Sequence, residues 1–261
     1  MVMVDDATNK LDARFFESET TEASMTMFRR WTLKHGLLRL LYPDRHSIYR
    51  RNDKEADEIE HRTGKRPLTR FGEAMGDLDV ELTCARSPQA KGRVERANST
   101  LQDRLVKLLR LEGITTIDQA NAFLDQTFLS QHNARFAIEP ADDQDAHRPG
   151  PTVEALDAAL CPVRQTRSVD KTGCVSWQGR CFELLGRDAT PRRRRKVQVR
   201  QRLDGEIELL DTTGQKALES RELPDHPSPP PRKKPTASER VAEHAPPYTP
   251  PADHPWRRSV A

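Results

Sequence analysis

The chain has 261 residues, with 43 Lys+Arg against 40 Asp+Glu, a formal net charge of +3, and 35% hydrophobic against 32% charged residues. That length supports one substantial core and a second small one, while so low an apolar fraction predicts that part of the chain is solvated linker or tail. The near-balanced charge excludes an argument from bulk electrostatics, and no apolar run approaches the roughly 18 residues of a membrane span, nor does a secretory leader open the chain.

Cys84, Cys161, Cys174 and Cys181 are scattered without a CxxC pair, which disfavours a zinc site or a disulfide framework and favours reduced thiols in a cytoplasm. Met1-Val-Met-Val4 reads as the middle of a buried strand with no polar lead-in, as if the domain were cut there. An ordinary edge strand at a terminus reads the same way. Residues 1–5 and 11–16 are apolar runs joined by a turn-type cluster, which predicts a hairpin. Residues 22–35 place Met25, Phe28, Trp31 and Thr32 on one helical face, and Gly36 closes that helix.

Residues 37–42 form a short, almost wholly apolar run, expected to be a strand buried on both faces and ending at Pro43-Asp44. Residues 50–67 read as a charged, irregular insertion. Residues 68–78 carry Phe71, Ala74, Met75 and Leu78 at helical spacing, and 80–84 alternate like a strand with one solvated face. Ser87-Pro88 is a helix start, and Val94, Ala97, Leu101, Leu105 and Leu108 continue it as a stripe to about Glu112. Thr116 and Gln119 suggest a capping box before a second helix with Ala120, Phe123, Leu124 and Phe128 inward. Strand, helix, strand, helix, helix in this order argues for an α/β layer fold.

Beyond His147-Arg-Pro-Gly150 the pattern changes to short alternating stretches, with Asp204-Gly205 a strong hairpin signal. A small β-barrel or open sheet is expected over 151–223, after a first domain over 1–150. The proline-rich, basic stretch 224–261 is expected to be disordered.

Two carboxylates stand out by location. Asp44 follows the end of a buried strand, where open α/β sheets place functional groups. Glu95 lies near the start of the long helix, flanked by Lys91, Arg93 and Arg96. Each alone reads more readily as a solvated surface acid than as a catalyst.

Their surroundings sharpen the reading. Tyr42-Pro-Asp-Arg-His-Ser-Ile-Tyr49 and Ser87-Pro-Gln-Ala-Lys-Gly-Arg-Val-Glu-Arg-Ala-Asn98 resemble the second and third acidic motifs of the integrase and transposase catalytic core, a ribonuclease-H-like fold. The Pro-Gln-x-x-Gly-x-x-Glu-x-x-Asn pattern is the sharper of the two. Leu101-Gln-Asp-Arg-Leu-Val106 and Asn133-Ala-Arg-Phe136 extend the resemblance to ISNCY-type insertion-sequence transposases.

The resemblance implies a Mg²⁺- or Mn²⁺-dependent polynucleotidyl transferase. Asp44 and Glu95 would be catalytic metal ligands for a pair of ions about 3.5–4 Å apart that activate the attacking oxygen and neutralise the leaving one. It also implies that the first of three catalytic carboxylates lies upstream of Met1. The expectation is therefore a truncated, ribonuclease-H-like core lacking its first strand, poorly stable and inactive in strand transfer. Asp5 and Asp6 are weak substitutes for that acid.

The expected partner is DNA, as transposon ends and target, with no membrane and with homo-oligomerisation in a full-length active form. Lys91, Arg93 and Arg96 are candidate phosphate contacts near the acids. Arg192, Arg193, Arg194, Arg195 and Lys196 resemble the basic C-terminal barrel of these transposases, whose contacts would be sequence-neutral and salt-dependent. Any of these cations reads as well as a solvated basic face. A non-catalytic DNA-binding remnant that caps or blocks transposon ends is the competing reading, and a ribonuclease-H-like nuclease a third.

Overall fold

A computed structural model of the chain describes residues 1–85, 92–142, 144–186, 195–214 and 216–224. The predicted opening hairpin is present: β1 (Val2–Val4) and β2 (Leu11–Ala13) pair antiparallel with Met3 opposite Asp12. Asp5 closes the turn by accepting from the Thr8 N–H at 3.0 Å. Period-two alternation sends Leu11 and Ala13, with Val2 and Val4, to one face of the hairpin and Met3 to the other. Asp12 is therefore placed on the Met3 face and is buried. Its charge is matched there by Arg30 Nε at 2.8 Å and Lys34 Nζ at 3.1 Å.

Those two cations belong to α1 (Thr21–His35), which begins at Thr20, whose side chain accepts from the Ala23 N–H. It ends at Gly36, whose φ of 93° only glycine adopts without strain. Met25, Phe28 and Trp31 of α1 pack with Phe71, Ala74 and Met75 of α3 (Arg70–Asp77). Phe28 and Phe71 meet edge to face at 6.4 Å, and Tyr49 meets Phe71 the same way at 5.1 Å.

The strand expected over 37–42 is shorter and wetter than its composition implies. Leu37 and Leu38 are buried, but β3 is only Leu40–Leu41, and Leu40 and Tyr42 are 50% and 44% exposed. It runs parallel to β4 (Glu81–Leu82), itself shorter than the predicted 80–84, and no strand pairs with its other edge among the described residues. A buried strand needs neighbours on both sides, and β3 has one.

The charged stretch 50–67 is not irregular: it holds α2 (Lys54–Thr63), capped by Asp53, which accepts from the Ala56 N–H, and stopped by Gly64 in the left-handed region. This helix buries only Ala56, so it lacks the apolar stripe that would reveal it.

The long helix is α4 (Gly92–Leu111); its predicted start at Ser87-Pro88, and Lys91, lie outside the described residues. Leu101 and Leu105 pack against Leu11 and Ala13 of β2 and against Leu124, Phe128 and Leu129. The last three lie on a continuous helical rod made of α5 (Ile117–Phe123), a π-helical turn (Leu124–Phe128) and α6 (Leu129–Phe136). Thr116 caps it as expected, accepting from the Gln119 N–H at 3.3 Å, while Gln119 returns to the Thr115 N–H.

This rod also closes the outer edge of β2. Asn133 accepts from the Leu11 N–H at 2.8 Å and donates to the Leu11 carbonyl at 2.9 Å. Asn121 does the same for Phe15, at 2.8 and 3.1 Å. Between them the Asp12 side chain accepts from the Ala13 N–H. Side-chain amides thus stand where the next strand would be, which blunts an otherwise reactive edge.

An unforeseen helix, α7 (Val153–Ala159), follows, and its Leu156, together with Leu160, joins the core built by α1 and α3. Arg70 of α3 donates to the Ala159 and Cys161 carbonyls, both at 2.8 Å, satisfying acceptors at the C-terminus of α7.

The remaining strands form two three-stranded sheets. One is ordered β10 (Ser220–Leu223), β7 (Arg180–Leu184), β6 (Cys174–Trp177); the other is β5 (Val163–Ser168), β8 (Lys196–Gln201), β9 (Ile207–Leu210). They pack face to face around Val175, Phe182, Val197, Val199 and Leu209, without closing into one barrel among the described residues. Gly205, at φ 86°, makes the β8–β9 turn that Asp204-Gly205 predicts. The stretch 225–261 lies outside the described residues.

Candidate functional site

The edge of β1 that faces away from β2 and the edge of β3 that faces away from β4 border one cavity of about 1060 Å³. Its lining mixes apolar side chains, Val2, Val4, Leu40, Leu41 and Phe28 among them, with polar and acidic ones.

Asp44 and Glu95, some fifty positions apart in sequence, both line this cavity. Asp44 is brought there by Pro43, which ends the run after β3. Its carboxylate accepts from the His46 N–H at 2.9 Å, fixing the side chain in a tight turn. Nearby Tyr49 is pushed above the ordinary phenol range, first by burial, against which its hydrogen bond with Ser24 at 3.1 Å acts. Burial likewise pushes the Cys84 thiol up, with Arg50 and Arg45 opposing and Asp44 adding to the rise. Glu95 stands in the first turn of α4 and is exposed. Val94 and Asn98 reach the same cavity, so one face of α4 is presented to it at three- and four-residue spacing.

The candidate cations divide. Arg93 lines the cavity, but its guanidinium is engaged by Asp6 at 2.8 Å and by Asn9 Oδ1 at 3.1 Å. It ties α4 to the hairpin turn. Arg96 is exposed one residue beyond Glu95 and is not part of the cavity wall. Arg195 and Lys196 lie at the start of β8: the Arg195 carbonyl accepts from the Val169 N–H at 2.8 Å, and Lys196 is exposed opposite Ser168. Neither lines the cavity that Asp44 lines. Lys91, Arg192, Arg193 and Arg194 lie outside the described residues.

Acids not assigned a leading role in the sequence reach the cavity too. Asp5, Asp6, Glu17 and Glu19 line it. Asp5 is engaged by Thr8 and Asp6 by Arg93. Among the described residues no group of three or more His, Cys, Asp or Glu side chains is close enough to cage a metal ion. No described helix is long and apolar enough to cross a membrane.

Comparison with known proteins adds an independent observation. The chain is 45% identical over 150 residues to "Putative transposase y4bF" of Sinorhizobium fredii, a match covering 57% of this chain and 31% of that protein. It is 29% identical over 259 residues to "Transposase for insertion sequence IS1202" of Streptococcus pneumoniae, covering 97% of this chain and 53% of that protein. Its relatives are named transposases. The chain spans about half the length of the second transposase and less than a third of the first. No family model matches the chain.

Proposed function

We propose that the chain is the catalytic region of an insertion-sequence transposase, a ribonuclease-H-like layer structure in which Asp44 and Glu95 hold divalent metal and act on DNA phosphodiesters. The observation that carries this reading is that these two acids, from distant parts of the sequence, line the same cavity. The similarity to two proteins named transposases supports it. So does the layering about the β1–β2 hairpin, with α1 and α3 on the Met3 face and α4 to α6 on the face of Val2, Val4, Leu11 and Ala13.

The donor set suits a hard cation. Two carboxylates lining one partly polar cavity fit Mg²⁺ or Mn²⁺, which keep several waters and accept phosphate oxygens, better than an ion requiring a cage of side chains. Bound there, such an ion supplies Lewis-acid activation of the attacking and leaving oxygens. The chain's own residues do the positioning: the His46 N–H orients Asp44, the α4 backbone orients Glu95, and Arg93 places a positive charge beside them.

The test is Mn²⁺ binding followed by paramagnetic relaxation. Asp44→Asn and Glu95→Gln are each expected to weaken it at least tenfold, and Arg96→Gln to leave it unchanged. Mn²⁺ affinity that is indifferent to both acid substitutions would overturn the proposal. Salt-dependent DNA binding that survives both substitutions, and is lost when Arg195 and Lys196 are neutralised, would favour a non-catalytic DNA-binding role instead.

A further inference from the structure

Arginines in this molecule are mostly paired with acids: Arg29 with Asp157, Arg30 with Asp12, Arg66 with Asp57 and Arg180 with Glu222. Arg104 of α4 and Arg135 of α6 are not. Neither has a carboxylate partner among the described residues, and Asp103, next to Arg104 in the chain, is bound to Lys107. Both guanidiniums instead lie over one ring, that of Phe136, at 5.2 and 5.6 Å from its centroid. Two like charges gathered on one ring repel each other, and no acid offsets that repulsion.

The ring is a fixed platform. Phe136 rests on His132 at 4.8 Å between centroids and His132 on Phe128 at 5.6 Å, and Phe128 belongs to the core under α4. A guanidinium that lays its flat face on a ring keeps the N–H groups of its edge for another acceptor. His132 reports the local charge. It is 7% exposed, and its Nδ1 has no hydrogen-bond partner among the described residues. Burial first, then Arg104, pushes its imidazole below the ordinary value, and no carboxylate opposes them. The group that would complete this cluster is an oxyanion that accepts from both arginines at once.

The place of the cluster separates it from the acids. Arg104 comes two and a half turns after Glu95, at about 3.6 residues per turn, so it stands on the opposite side of α4. Arg104, Arg135 and Phe136 are all outside the wall of the cavity that Asp44 and Glu95 share.

We infer that Arg104 and Arg135 form a phosphate clamp whose ligand is the backbone of a double-stranded DNA segment separate from the one presented to Asp44 and Glu95. The reading of the chain as a DNA-processing protein supplies the ligand class, and the inference rests on it, although neither acid takes part in the clamp. Such a clamp holds phosphate alone, so it is blind to base sequence and weakens with salt. Helix α4 itself sets the spacing between the two DNA segments, because it carries Glu95 in its first turn and Arg104 on its far side.

The experiment uses the full chain and a short blunt duplex in EDTA, with affinity read by fluorescence anisotropy across a salt series. Arg104→Gln with Arg135→Gln is expected to weaken binding at least tenfold and to lower the slope of log affinity against log salt by about two. Arg135 is exposed, so Arg135→Gln alone leaves the fold intact and is expected to lower the slope by about one. Asp44→Asn with Glu95→Gln is not expected to weaken binding. In a second arm, duplex fixed to beads captures the chain, and the parent is expected to retain a second, labelled duplex. The double glutamine variant should still be captured and should lose the second duplex. Divalent metal is absent throughout, so a Mn²⁺ result that sinks the metal-site reading leaves these outcomes as they are. The inference is overturned if Arg135→Gln and the double variant both keep the parental salt slope, or if the parent retains no second duplex.

Discussion

Asn121 offers the most direct test of how this fold controls its strand edges. It is 6% exposed and exchanges two hydrogen bonds with the Phe15 backbone. Alanine at this position removes both partners from an N–H and a C=O that have no other described bond, in a residue that is half-buried. Each buried polar group so stranded costs about 1–3 kcal/mol. Asn121→Ala is therefore expected to cost about 2–4 kcal/mol, out of the roughly 5–15 kcal/mol typical of a folded domain. Asn133→Ala removes an equivalent pair at Leu11, which is itself 3% exposed, so at least as large a loss, about 2–4 kcal/mol, is expected. Asn121→Asp keeps the acceptor for the Phe15 N–H and sets a carboxylate against the Phe15 carbonyl, so it should be no milder than alanine. Urea denaturation followed by circular dichroism measures all three, and light scattering reports whether the uncovered β2 edge recruits other chains. Losses below about 0.5 kcal/mol for both alanine variants, the range of ordinary surface changes, would refute the edge-termination argument.

Other substitutions probe different parts of the frame. A Cβ at Gly36 would stand 2.7 Å from the Arg148 carbonyl oxygen at a φ of 93°, whereas one at Gly64, at φ 71°, meets nothing within 4 Å. In thermal denaturation Gly36→Ala should cost clearly more than Gly64→Ala, whose penalty of about 1–2 kcal/mol is conformational alone, and equal losses would show that the contact with Arg148 yields freely. Asp12→Ala leaves Arg30 and Lys34 facing a buried void and is expected to cost about 3 kcal/mol, the low end for a broken buried pair, because Arg30 also holds Asp125. His35 and His132 are both pushed below the ordinary imidazole value, mainly by burial, with His147 adding at His35 and Arg104 at His132. The unfolded chain then binds more protons than the folded one. Their contribution is whole above about pH 6.5 and falls away as pH drops through the folded-state values. A stability profile from pH 7 to 5 should therefore decline, and His132→Gln should make the decline shallower.

The elements legible in the sequence were those whose burial is periodic. Met25, Phe28 and Trp31 announce α1, Leu101 and Leu105 announce α4, and the alternation from Cys174 to Leu210 announces the paired strands, because each is packed on one side only. Where packing is thin the signal fails. The helix Lys54–Thr63 is held by Asp53, by Gly64 and by surface ion pairs such as Arg66 with Asp57, and none of these has a hydrophobic period. Composition misleads in the other direction at 37–42, where an apolar run is half solvated because only one strand pairs with it among the described residues. Asp44 and Glu95 were visible through the strings around them. The roles of Asn121 and Asn133 were not: an amide that mimics a strand edge depends on a contact more than a hundred residues away, and nothing local marks it.

Arg93 shows how the weakness of a contact can carry a functional argument. Its guanidinium is 40% exposed and its partner Asp6 is 90% exposed, so the pair sits in water and is worth no more than about 1 kcal/mol. The guanidinium also donates to the Asp6 carbonyl and to Asn9 Oδ1, so on the wall of a cavity shared with Asp44 and Glu95 it can exchange its exposed carboxylate for a phosphate while those two bonds keep it in place. Counting the ion pair with the two hydrogen bonds to the turn, Arg93→Met should change urea stability by no more than about 1–2 kcal/mol. It should also weaken duplex DNA binding at every sequence alike and reduce the slope of log affinity against log salt by about one. A large stability loss would make Arg93 a structural clamp between α4 and the hairpin turn. An unchanged salt slope would remove it from the phosphate path, leaving Arg96 as the described cation nearest Glu95 in sequence to carry that contact.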